Sequence, residues 1–157
     1  MSTRAVIPDV LFFFCMGITI ASWLALAIAP GRRMVNWWLC GVATPIVLAL
    51  IYGYLLVAYW DQPPGESLLA AYLSRFGSLP GVFMMFHNPG LLLVGWLDIL
   101  AMDLVGGAWQ ARRAQRTGMP RLLLLFSFFM TVTNAPLGML TYFLIESARG
   151  TLSRNTD

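Results

Sequence analysis

The sequence predicts an all-α polytopic membrane protein: four transmembrane helices, with a short amphipathic, interfacial helical segment between the second and third. Three observations carry this. The chain of 157 residues is 59% hydrophobic and 11% charged, whereas a soluble domain averages about 25% charged residues. Windows of about twenty apolar residues, the length that crosses a bilayer, recur along it. Trp37, Trp38, Trp60 and Trp109 stand at the ends of those windows, where amphipathic rings favour the membrane–water interface. The length suits one domain over residues 1–157.

The first span covers residues 7–29 and ends at Pro30-Gly31. Arg4 and Ala25-Leu26-Ala27 give it some features of a signal peptide. Its apolar run is longer than a signal core, and Arg32 and Arg33 follow it like a stop-transfer anchor, so a retained helix is expected. The second span covers 37–60 and ends at Asp61-Gln62-Pro63-Pro64-Gly65; the third covers 90–110 and the fourth 122–147. Residues 61–89 form the long extramembrane connection. Within it, Glu66 to Phe76 reads as an amphipathic helix. Leu68, Leu69, Tyr72, Leu73 and Phe76 share one face suited to a membrane surface, and Gly77 ends it. Leu79 to Phe86 is apolar but too short to span, and either dips into the bilayer or covers a cavity.

All ten basic residues are arginine, and the net charge is +3. Arg32, Arg33, Arg112, Arg113, Arg116 and Arg121 fall in the first and third loops, against Arg4, Arg75, Arg149 and Arg154 on the other side. The positive-inside rule then places loops 30–36 and 111–121 in the cytoplasm and both termini outside. Arginines at helix ends suit membrane lipids as partners. Nucleic acid is not expected, since it would want a basic face interleaved with aromatics. Cys15, Cys40 and His87 are too few and too scattered for a metal site. Cys15 and Cys40 fall toward opposite membrane faces, which argues against a disulfide. No Gly-x-Ser-x-Gly elbow or phosphate-cradling glycine loop occurs.

The chemistry concentrates in Trp96-Leu97-Asp98-Ile99-Leu100-Ala101-Met102-Asp103 on the third span. A charged Asp at mid-membrane costs roughly 2.5–3.5 kcal/mol, so inward-facing partners are expected. Five positions separate the two carboxylates by about 140° and about 7.5 Å of depth, so each needs its own neighbours. Asp103 shares a stripe with Trp96, Ile99, Gly107 and Gln110, and Gly106 and Gly107 would admit another helix closely. By depth, Asp103 is level with Thr44 and with Ser127 to Thr131, while Asp98 is level with Tyr52, Thr133 and Asn134. Pro45 follows Thr44 in the second span, and Pro136 should kink the fourth at Asn134-Ala135-Pro136, freeing the carbonyl of Val132. Two kinked helices beside an acidic one can enclose a polar pocket in an apolar wall. A carboxyl group in hydrocarbon favours its neutral form, which makes Asp103 and Asp98 candidate general acids toward a lipid-soluble epoxide or polyene. Thr44, Tyr52, Trp96, Thr131, Thr133 and Asn134 are the candidate ligand-binding residues. Structural tying of helices by these groups is the competing expectation, each bond contributing about 0.6 kcal/mol.

Thr44-Pro45 through Tyr52-Gly53-Tyr54, then Gly95-Trp96-Leu97-Asp98 through Asp103-Leu104, then Pro136-Leu137-Gly138, with Ala29-Pro30 after the first span, resemble the abscisic-acid-deficient-four-like family. Their order and spacing extend the resemblance from about Trp23 to Tyr142. The plant member is linked to forming neoxanthin from violaxanthin, by epoxide opening with allene formation. The resemblance implies a four-helix protein that acts on or holds a carotenoid or related isoprenoid, with an isomerase as its enzymatic form. It places Asp103 at the family's intramembrane aspartate; Asp98 departs from a usual histidine. No cofactor is implied beyond that bound isoprenoid. The chain lacks a plastid transit peptide, which points to a prokaryotic inner or photosynthetic membrane. The alternative is a non-catalytic pigment- or lipid-binding subunit of a larger, possibly photosynthetic, membrane complex.

Overall fold

The computed structural model describes residues 3–60 and 67–150; the turn at 61–65, Glu66 and Arg154 lie outside the described residues. Every regular element among them is helical. Helix α1 is Thr3–Ile28 and α2 is Met34–Tyr59. The first part of α2, Met34–Ala43, is π-helical, and Thr44–Tyr59 is α-helical. Then follow α3 (Leu68–Phe76), α4 (Leu79–Phe86), α5 (Pro89–Thr117), α6 (Arg121–Thr133) and α7 (Ala135–Ala148).

Three helices, Ile7–Ile28, Met34–Tyr59 and Pro89–Thr117, are long and apolar enough to cross a membrane. These account for the first three expected spans. Together with the apolar composition they make this a membrane protein. Their large exposed side chains, among them Phe13, Leu24, Leu50, Val57 and Met102, are what lipid would cover.

The fourth expected span, 122–147, is not one helix. It is two, joined by Asn134 alone, and α6 and α7 pack along each other. Asn134 is extended (φ −164°, ψ 103°), and its side chain accepts from the Leu137 backbone N–H at the start of α7. Pro136 occupies the first turn of α7, where its missing N–H costs nothing. Proline here accompanies a reversal rather than a kink. The far end of α7 returns to the start of α6, where Arg149 Nη2 donates to the Gly118 carbonyl at 2.9 Å. At 13 and 14 residues, each arm is about 20 Å long, short of the roughly 30 Å hydrocarbon core. The return requires Gly138, because a Cβ there would fall on the Thr131 backbone.

The described residues form two compact units, 3–16 with 48–60 and 67–99, and 17–47 with 100–150. In the first, α3 and α4 pack together and are bent by 98° at the break between them. Ser67 and Ser78 cap them, accepting from the backbone N–H groups of Ala70 and Gly81. Leu69, Tyr72, Leu73 and Phe76, expected to share an apolar face, are all exposed. Asn88 caps α5 by accepting from Gly90 N–H at 2.9 Å, with Pro89 at the first helical position. Gly90 lies against the Tyr59 ring, leaving no space for a Cβ. His87, at this junction, is exposed, and its Nδ1 donates to the Phe83 carbonyl at 2.8 Å.

The second unit holds the apolar core of Leu26, Cys40, Leu104, Ala108, Ala111, Leu124, Phe128 and Tyr142. Gly107 admits the Trp23 ring; Gly106, the other expected close-approach glycine, has only ordinary contacts at 3.9–4.0 Å. Cys15 and Cys40 are free and buried.

Candidate functional site

Two places bear on function, one in each unit. In the first unit, Pro8, Asp9 and Phe12 follow α1 at helical spacing, and Pro89, Leu92, Leu93 and Trp96 follow α5 at spacings of three, one and three. Together they line an apolar groove of about 370 Å³. Pro8 and Leu93 are buried, while Leu92 and Trp96 lie half open, Trp96 at 41% exposure. Trp96 is oriented by its indole, whose Nε1 donates to Met16 Sδ at 3.4 Å. Asp9 is the carboxylate in the groove lining, and it is exposed. The groove can take an apolar ring or chain end and present one oxygen acceptor to it.

The second unit holds the expected polar interior, and most of its groups are engaged with one another. Thr44 shares a 2.8 Å hydrogen bond with Ser22, whose hydroxyl also donates to the Ile18 carbonyl. Thr131 Oγ1 donates to the Ser127 carbonyl at 2.8 Å and accepts from Gln110 Nε2 at 2.9 Å. Gln110 also reaches the Gly138 carbonyl at 3.3 Å, so one amide joins α5, α6 and α7. Arg113 Nε donates to both carboxylate oxygens of Glu146, at 2.9 and 2.8 Å, and Tyr142 OH donates to Glu146 at 3.5 Å. Thr44→Val is expected to lower stability by about 1 kcal/mol, the worth of one such bond, as read from thermal denaturation in detergent, with ligand binding unchanged.

Asp103 is buried, at 7% exposure, on the α5 face that also carries Gly107, Gln110 and Ala114. It makes no side-chain hydrogen bond among the described residues, and it is not among the residues that line the groove. The expected partners at its level, Thr44 and Ser127 to Thr131, bond elsewhere. Asp98 corrects the expectation of two inward carboxylates: it is exposed. The reason is the helical phase, since about 140° from a buried Asp103 is an outward face.

Thr133 and Asn134 are likewise exposed rather than interior. Thr133 donates back to the Phe129 and Met130 carbonyls, and Asn134 is spent on the α7 cap. Tyr52 is half-buried. The structure thus brings Thr44 and Thr131 into buried networks, sets Trp96 in the groove, and places Asp98, Thr133 and Asn134 on the surface. Asp9 and Pro8 were absent from the sequence reading. Their signal was an acidic residue and a proline inside the first apolar window, opposite no obvious partner. Glu146, another lone acid in an apolar run, carried the same signal.

The profile of a family described as ABA4-like, ABA DEFICIENT 4-like, matches residues 10–142. No curated protein and no solved structure matches the chain.

Proposed function

Because this chain belongs to the ABA DEFICIENT 4-like family, we propose that it is a carotenoid- or xanthophyll-related membrane protein that binds an isoprenoid end group in the groove of Pro8, Phe12, Leu92, Leu93 and Trp96. The groove's aromatic and aliphatic lining, with one carboxylate, is the observation that carries this reading. Its 370 Å³ lies toward the lower end of the roughly 300–1,000 Å³ of small-molecule sites. That suits one ring of an elongated polyene, with the remaining chain lying along lipid-exposed helix faces. Asp9 would accept a hydrogen bond from a ring hydroxyl, which favours an oxygenated carotenoid over a hydrocarbon one. The arginine bias supports residues 30–36 and 111–121 as cytoplasmic; a prokaryotic inner or photosynthetic membrane is the location proposed with it.

The test is to purify the protein, extract it with organic solvent and resolve the pigments by chromatography. A polyene retained by the wild type and depleted several-fold in Trp96→Ala supports the reading. Equal pigment in both overturns it. The same chromatograms separate two forms of the activity. Conversion of a bound epoxy-xanthophyll that is lost in Asp9→Asn or Asp103→Asn makes the protein an isomerase. Unchanged pigment that co-purifies with a larger membrane assembly makes it a binding subunit.

A further inference from the structure

The second unit contains a basic cleft that the isoprenoid reading does not use. It is about 280 Å³, lies at the turn between α1 and α2, and is lined by Arg33, Asn36, Trp37, Arg112, Gln115 and Arg116. A second cleft of about 540 Å³ shares Trp37, Arg112 and Arg116 with it.

Arg112 is half-buried and held from two sides. Its Nη1 donates to the Asn36 carbonyl at 2.7 Å, and its guanidinium lies over the Trp37 ring at 4.6 Å. Gly41 leaves the room for this, since a Cβ there would stand 3.0 Å from the Asn36 carbonyl oxygen and 3.1 Å from Nη1. The π-helical stretch of α2 supplies both Asn36 and Gly41, and such segments recur at functional sites. Arginines that only set topology need to be near the interface; they do not need a fixed guanidinium.

The charges are also unbalanced. Arg113 is neutralised by Glu146. Arg33, Arg112 and Arg116 have no carboxylate within ion-pair distance among the described residues. Finally, Asn36 is 2% exposed, and its Oδ1 has no hydrogen-bond partner among the described residues. A buried acceptor left so is costly unless something donates to it.

We propose that this cleft binds a phosphate ester that also carries a hydroxyl group, with Arg112 and Arg116 on the phosphate and Asn36 Oδ1 accepting from the hydroxyl. A planar guanidinium matches phosphate through paired N–H groups. The phosphate ester can be the headgroup of an anionic phospholipid or a soluble compound.

The test uses the full chain in detergent. Retained phospholipid is measured by native mass spectrometry, and affinity by titration with phosphatidylglycerol or phosphatidylcholine, with and without inorganic phosphate. The wild type should retain phosphatidylglycerol over phosphatidylcholine. Arg116→Gln, an exposed position that leaves the fold intact, should weaken that affinity at least about tenfold, the loss of one charge-assisted bond. Arg112→Gln should do the same, and Arg121→Gln, a basic control outside the cleft, should not.

If millimolar inorganic phosphate leaves phosphatidylglycerol bound, the site takes a lipid headgroup. If phosphate displaces it from the wild type but does not bind Arg116→Gln, the site takes a soluble phosphate ester. Equal affinity in Arg116→Gln and the wild type overturns the proposal, as does an equal loss in Arg121→Gln. Pigment content should be unchanged in Arg116→Gln, so this result is independent of the groove.

Discussion

Replacing Gly138 by alanine is expected to lower the melting temperature in detergent by about 6–12 °C, from a loss of about 3 kcal/mol. The added Cβ would collide with the Thr131 backbone and with Thr131 Oγ1. Backbone cannot yield as the end of a flexible side chain can. The damage also spreads, because Gln110 ties Thr131 and the Gly138 carbonyl together. Pushing α7 away breaks that amide's bonds and uncovers Tyr142 and Glu146, both buried on α7. Gly106→Ala is the control: its Cβ would meet only ordinary contacts, and a shift within about 0.5 kcal/mol is expected. A melting temperature unchanged in Gly138→Ala would mean that α6 and α7 do not pack back to back, and that residues 121–148 cross as one helix.

Arg113→Met is expected to cost about 3–5 kcal/mol, the usual effect of removing one partner from a buried ion pair. The Glu146 side chain is 0% exposed and that of Arg113 29%. The loss therefore falls on the acid, which gives up both of its hydrogen bonds from the guanidinium Nε. The reverse change, Glu146→Gln, should cost less, because the guanidinium is partly open to solvent. In the double variant Arg113→Met with Glu146→Gln, much of the stability should return. Equilibrium unfolding of the four proteins gives the cycle. An Arg113→Met protein within about 1 kcal/mol of wild type would show that the pair contributes little.

The long helices were legible because length and apolarity alone identify them. Residues 122–147 were not, because an apolar run of that length satisfies the span criterion whether it crosses or turns back. The deciding features were Asn134 and Gly138, one capping a second helix and the other admitting its return. Composition windows do not register either. The angle between Asp98 and Asp103 was fixed by helical geometry, but the phase of α5 was not, so both acids were expected inward and one faces out. Thr44 and Thr131 are buried, yet their partners Ser22 and Gln110 come from other helices. Contacts over 21 or 22 residues of separation leave no local pattern. Trp96 was singled out with Asp103, and its neighbours in the groove proved to be Asp9 and Phe12 of the first helix.

The groove is most directly tested by the amount of xanthophyll bound per protein after reconstitution and gel filtration, compared between wild type and Leu92→Trp. Leu92 is exposed and lines the groove, so a tryptophan there fills it without disturbing the core. The prediction is a polyene absorption band that travels with the wild-type protein and is lost from a folded Leu92→Trp. Equal pigment on both proteins, or none on a folded wild type, would contradict it.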